Sequence, residues 1–103
     1  MWFFQNLLEY REIQHFITTR IGGFSNQPYD SLNLGFHVGD NPEIVMKNRE
    51  RLALALGIPL TNFTIARQIH GSNVEIVTED LRGSGAFHYE TAIDATDAMV
   101  TSA

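Results

Sequence analysis

Gly39-Asp40-Asn41-Pro42-Glu43 opens the stretch of this chain that carries a full set of helix signals. Asp40 or Asn41 offers a side-chain oxygen for an N-cap. Pro42 suits the first turn, where a missing N–H has no helical partner, and Glu43 puts negative charge at the positive end of the helix dipole. The pattern predicts a helix running to about Leu56, burying Val45, Leu52 and Leu56, and stopping at Gly57 with Pro59 just beyond. Lys47, Arg49 and Arg51 give this helix a basic face, which reads as solvated surface rather than a ligand site.

Working outward, the flanking segments switch from helical spacing to alternation. Ile13 to Arg20 reads as a strand that Gly22-Gly23 breaks, and Phe24 to Ser31, rich in Ser, Asn, Gln, Pro and Asp, reads as a loop. Leu32, Leu34, Phe36 and Val38 alternate with Asn33, Gly35 and His37, the pattern of a half-buried strand with a polar opposite face. Beyond the helix, Phe63 to Ile69 and Asn73 to Thr78 read as two strands joined through His70-Gly71-Ser72. Glu79 to Ala95 shows no sustained period and is predicted to be a long loop, after which Asp97 to Ser102 begins another apolar run. One helix among short strands gives an α+β class. The chain ends inside the last run, so residues 1–103 are expected to be the N-terminal part of one domain cut short at its C-terminal end.

Composition narrows the function classes. With 103 residues, 44% hydrophobic and 18% charged, the chain has the make-up of a single folded domain rather than a disordered one. A formal charge of −5 argues against a nucleic-acid surface, which needs clustered Lys and Arg. Cysteine is absent, which removes disulfides, a thiolate nucleophile and a Cys-rich zinc site from these residues. The apolar start, Met1 to Leu8, has no basic flank and soon meets Glu9, Arg11 and Glu12. It resembles neither a signal peptide nor a membrane span, and a cytoplasmic protein without a membrane partner is expected.

The candidate chemistry centres on Gln68-Ile69-His70-Gly71, where a β-like run ends in an imidazole beside a glycine. A neutral histidine binds metals and shuttles protons, and glycine permits close approach of backbone or substrate. Of the other histidines, His15 and His88 read as ordinary surface or loop residues, and His37 lies on a polar strand face where structural and cleft-lining roles weigh equally. No two histidines have the i, i+4 spacing of a helical zinc motif. Arg20 with Gly22-Gly23 could hold an anion through a guanidinium and consecutive backbone N–H groups, although a plain turn is the commoner meaning of two glycines. Phosphate-binding P-loops, dinucleotide fingerprints and nucleophile elbows are missing.

Taken in order, Thr18-Thr19-Arg20-Ile21-Gly22-Gly23-Phe24-Ser25, Ser31-Leu32-Asn33-Leu34-Gly35, Val38-Gly39-Asp40 with Asn48-Arg49, Gln68-Ile69-His70-Gly71 and Asp97-Ala98-Met99-Val100-Thr101 resemble the YfiH family. This family is also called the laccase-domain or polyphenol-oxidoreductase family, and the likeness runs from about Ile13 onward. The resemblance implies a mixed α/β sandwich-like single domain and a zinc-dependent purine nucleoside phosphorylase that also deaminates adenosine and phosphorolyses methylthioadenosine. Purine nucleoside and phosphate are then the partners. In the family the metal is held by the histidine of the Gln-x-His-Gly motif, by a cysteine in a later Ala-Asp-Cys motif and by a further histidine. Only His70 maps here, so the other ligands are expected beyond Ala103 and the 103 residues alone are expected to be inactive. His70 is therefore the expected catalytic and metal residue, with Arg20, Gly22 and Gly23 as candidate anion contacts. Asn33, His37 and Gln68 are candidates to read ribose or base, and Asn48 and Arg49 to buttress the loop. Competing readings are a copper-dependent polyphenol oxidase, a peptidoglycan-editing factor and a non-catalytic binding module.

Overall fold

The structure, a computed structural model, describes all 103 residues. The helix predicted from its caps is present as α1, Pro42–Leu56. Asn41 is the N-cap, its side-chain oxygen accepting the Glu43 N–H at 2.9 Å. Asp40 works one step earlier: its carboxylate accepts the Ser25 hydroxyl at 2.6 Å, the Asn33 amide at 3.2 Å and the Asn41 N–H at 2.8 Å. At the other end Gly57 takes φ 68°, the left-handed conformation that glycine adopts freely, and the Ile58 N–H returns to the Ala53 carbonyl at 3.1 Å.

Val45, Leu52 and Ala53 face inward from α1, and Leu56 is only half-buried. Of the basic residues read as solvated, Lys47 and Arg51 are exposed, whereas Arg49 is 4% exposed. Periodicity alone could not place Arg49, because an arginine stem packs like a hydrocarbon while its head is satisfied by carbonyls supplied from elsewhere in the chain.

β1 (Val74–Ile76) and β2 (Ala98–Val100) form a parallel pair with Val74 opposite Ala98 and Ile76 opposite Val100. Parallel strands need a long crossover, and residues 77–97 supply it with two single 3-10 turns, Glu79–Leu81 and Tyr89–Thr91, instead of an α-helix. The expected long loop after Thr78 is thus a crossover.

Three predicted strands are not regular strands. Ile13 to Arg20 has one bridge, from Ile17 to Trp2, and Phe63 to Ile69 has one, from Ala66 to Ile93. Leu32 to Val38 forms none. Alternation shows which side chains turn inward, but a strand also needs a neighbouring edge. Here side chains of α1 take the carbonyls that a neighbour would have used: Asn48 donates to the Asn33 carbonyl at 2.9 Å and Arg49 Nε to the Leu34 carbonyl at 2.8 Å.

Only 12 of the 103 residues are buried, so apolar packing alone is a thin support. Its centre is Ala53, Leu60 and Ala86, with Met46 and Phe63 packed against them. Polar residues of α1 complete the interior. Asn48, fully buried, accepts the Phe24 N–H at 2.7 Å and donates to Ser25 Oγ at 2.9 Å, fastening the Phe24–Asn33 loop to the helix. No helix is long and apolar enough to cross a membrane.

Candidate functional site

The loop held by α1 and the segment leading to His70 face each other across a cleft of about 330 Å³. Phe36, His37, Arg49, Gln68, Tyr89 and Asp97 are among its walls. The His37 and Tyr89 rings stack, with centroids 6.1 Å apart and planes 25° apart. A slightly larger hollow of about 400 Å³ lies against Val77, Thr78, Glu79 and Arg82, but it gathers none of the candidate residues, so size does not locate the chemistry.

The Gln68–Asn73 turn forms the rim beyond Gln68. Its base is fixed by backbone hydrogen bonds, Arg67 N–H to the Ile93 carbonyl at 2.8 Å and Thr96 N–H to the Arg67 carbonyl at 3.0 Å. Its tip is organised by Asp97, whose Oδ1 accepts the Ile69 N–H at 3.0 Å. Burial pushes the Asp97 carboxyl pKa up, but backbone N–H groups of Ile69, Gly71, His70 and Asn73 outweigh it and hold the pKa below the ordinary carboxylate value. A side chain at position 71 would start 3.3 Å from Asp97 Oδ2, so glycine there lets the carboxylate approach the turn. His70 itself has φ 59°, an uncommon left-handed conformation for a residue with a Cβ, and its side chain is exposed.

His37 and Gln68 thus meet at one cleft, with His70 on the adjoining turn. Arg20, Gly22, Gly23 and Asn33 are not among the cleft's walls. The Gly23 N–H is committed to Ser31 Oγ at 3.1 Å, and a Cβ there would collide with the Ser31 backbone, so close packing accounts for this glycine. Asn33 is likewise engaged internally: its Oδ1 accepts the Gly35 N–H at 3.1 Å and its Nδ2 donates to the Gly35 carbonyl at 3.3 Å and to Asp40.

Sequence reasoning did not single out Tyr89 or Asp97 as parts of a site, and it gave Arg49 only the buttressing of the loop that its bond to the Leu34 carbonyl shows, not a place in the cleft wall. Asp97 is 28 residues from Ile69, and no local spacing connects them. The pairing of Gly71 with a distant acid becomes visible only once β2 lies beside β1.

A metal site needs several donors at once, and the chain brings no three His, Cys, Asp or Glu side chains together anywhere. Asp97, the acid nearest the turn, spends Oδ1 on the Ile69 N–H and keeps Oδ2 buried without a partner, so it and His70 make at most two donors. By themselves the residues present do not fit a bound metal, and His70 can supply one donor.

The sequence profile of the multi-copper polyphenol oxidoreductase laccases matches residues 14–103. A protein named purine nucleoside phosphorylase YlmD from Geobacillus stearothermophilus is 42% identical over 85 residues, which cover 82% of this chain and 31% of that protein. A purine nucleoside phosphorylase of Mycobacterium tuberculosis is 43% identical over 90 residues, covering 87% of this chain and 33% of its own length. The crystal structure of the Geobacillus YlmD superimposes with a TM-score of 0.81 at 42% identity, over 84% of this chain and 32% of that one. A hypothetical protein YfiH from Bacillus licheniformis gives 0.80 at 40% identity, over 82% and 32%. The chain therefore spans about a third of the length of these relatives. The profile match over residues 14–103, with 40% identity or more to these relatives over most of the chain, makes it a member of the multi-copper polyphenol oxidoreductase laccase (YfiH) family.

Proposed function

We propose that these 103 residues are part of one larger family domain, and that the complete protein is a cytoplasmic purine nucleoside phosphorylase that also deaminates adenosine and phosphorolyses methylthioadenosine. The observation that carries this reading is the cleft, where a stacked His37–Tyr89 pair offers an aromatic face and Gln68 a neutral amide. A purine has a flat π-system edged with donors and acceptors, which suits such a wall. In phosphorolysis a phosphate oxygen forms the new bond to the ribose anomeric carbon as the N-glycosidic bond breaks, and the proton that the phosphate loses ends on the departing purine nitrogen. The protein's share is to hold the two reactants in line and to stabilise the charge that develops.

Zinc belongs to this proposal, with His70 as one donor and the others drawn from family-domain residues outside these 103. Copper-dependent phenol oxidation finds less support, because the similar proteins carry the name purine nucleoside phosphorylase.

The test is a chimera in which these residues replace the matching third of the Geobacillus relative. Adenosine with phosphate is expected to give adenine and ribose 1-phosphate, and adenosine alone inosine. His70→Ala in the chimera is expected to reduce both activities by about 10²-fold or more. A folded, zinc-loaded chimera that forms none of these products sinks the reading.

A further inference from the structure

The cation most deeply placed in the fold is Arg49, and it has no acidic partner. Its Nε donates to the Leu34 carbonyl at 2.8 Å, and its Nη1 to the carbonyls of Gly85 at 2.6 Å and Ala86 at 2.8 Å. The guanidinium carbon lies 3.9 Å from the centre of the Phe36 ring. The two ion pairs of the chain, Arg67 with Asp94 and Arg82 with Glu79, leave it out.

A guanidinium has five N–H donors in a planar fork. Three are used here, by Nε and Nη1, while Nη2 makes no hydrogen bond although Arg49 is 4% exposed and stands in the cleft wall. Burial lowers its pKa to about 10, which still leaves it charged at neutral pH. A largely desolvated cation fixed on three carbonyls and an aromatic face, with one nitrogen unused, attracts anions far more strongly than a solvated arginine such as Arg20.

We propose that the free Nη2 edge of Arg49 is an anion subsite of the cleft and that its ligand is inorganic phosphate, held beside the His37–Tyr89 pair and not at Arg20, Gly22 and Gly23. This rests on the phosphorylase reading and gives that site its phosphate position. The stem and the three carbonyl bonds clamp α1 to the Leu34 and Gly85–Ala86 segments, so the same residue is built in as scaffold and offers its remaining edge to ligand.

The experiment is a titration of the isotopically labelled chain with inorganic phosphate, followed by two-dimensional NMR, with sodium chloride matching the ionic strength. Saturable shifts are expected at the Phe36, His37, Gly85 and Ala86 amides and at the Arg49 side-chain N–H signals. Arg49→Lys, which keeps the charge and loses the fork, is expected to weaken phosphate binding at least about tenfold, and Arg20→Gln to change it less than about twofold. Shifts centred on Arg20 to Phe24, or no shift beyond the chloride control, overturn the proposal. Should Arg49→Lys fail to fold, the wild-type map with Arg20→Gln still decides between the two positions. Phosphorolysis by the chimera with phosphate mapped to Arg20 defeats this inference alone. Phosphate at Arg49 in a chimera that does not cleave nucleosides defeats the phosphorylase reading and leaves the subsite standing.

Discussion

The inner face of α1 and the turn at His70 handle polar groups in opposite ways. On α1, Asn48 and Arg49 are buried, and their hydrogen bonds converge on the Phe24, Ser25, Asn33, Leu34, Gly85 and Ala86 segments. At the turn, Gln68 and His70 are exposed, His70 sits at φ 59°, and Asp97 takes the Ile69 N–H on Oδ1 while its Oδ2 is buried without a partner. Asn48 and three of the five N–H donors of Arg49 are spent on scaffold contacts inside the chain, whereas the imidazole is presented outward on a turn with an uncommon backbone conformation.

Breaking the buried half first has the largest expected effect. Arg49→Met keeps most of the stem volume but leaves the Leu34, Gly85 and Ala86 carbonyls without their donor. The expected loss is about 3 kcal/mol or more, read as a lower urea midpoint. That is a large share of the stability of a small domain. Replacing a buried ion by an apolar side chain is often neutral when its partners are replaced too, but here the carbonyls stay behind. An unchanged midpoint means that the clamp does not join these segments. Asn48→Ala comes next, at about 2 kcal/mol, with faster hydrogen exchange at the Phe24 amide as its local signature.

The same contrast explains what could be read from the sequence. The Asn41-Pro42-Glu43 start and the Gly57 stop of α1 are local, since caps depend on residues within a turn of the helix end, and both ends stand where the sequence puts them. β1 and the apolar run of β2 were visible as well. Alternation over Leu32 to Val38 predicted a strand that does not form, because Asn48 and Arg49, distant in sequence, took its carbonyls. For the site, His37, Gln68 and His70 were legible from residue type and position. Arg49 was read by spacing as helix surface and by resemblance as a buttress of the loop, which left its place in the cleft unseen, and Asp97 was not legible because it acts across 28 residues on a turn whose only local sign is Gly71.

Acid sharpens the comparison, because each half has one depressed carboxyl. Hydrogen bonds from Ser25, then Asn33 and Asn41, hold Asp40 below its usual value, and backbone N–H groups do the same for Asp97. A carboxyl with a lowered folded pKa stabilises the fold above its unfolded value, here near 3.8, and loses that contribution as pH falls through the folded value. Unfolding is therefore expected to set in below about pH 4. Asp40→Asn should lower the midpoint at neutral pH and flatten this acid limb in the helix signal. Asp97→Asn should leave the helix signal nearly unaltered and shift the Ile69, His70 and Gly71 amides. If the Asp97 variant loses the helix as readily as the Asp40 variant, the two halves are one cooperative unit.

The smallest expected effect has the opposite sign. His70 holds φ 59°, where a Cβ crowds the neighbouring carbonyl at a cost of roughly 1–2 kcal/mol for an ordinary residue and almost none for glycine. His70→Gly is therefore expected to be more stable than His70→Ala by about 1 kcal/mol, because both lose the imidazole and only the glycine variant loses the strain. The side chain is exposed, so little packing is lost in either variant. Equal urea midpoints for the two variants mean that the turn carries no strain at His70 and that Asp97 merely accompanies a relaxed loop. A higher midpoint for glycine means that a Cβ at position 70 costs the chain stability. Ala95, at φ 46°, shares this conformation with no chemical group to present, so it is the exposed imidazole beside the cleft, and not the backbone strain alone, that marks His70 for chemistry.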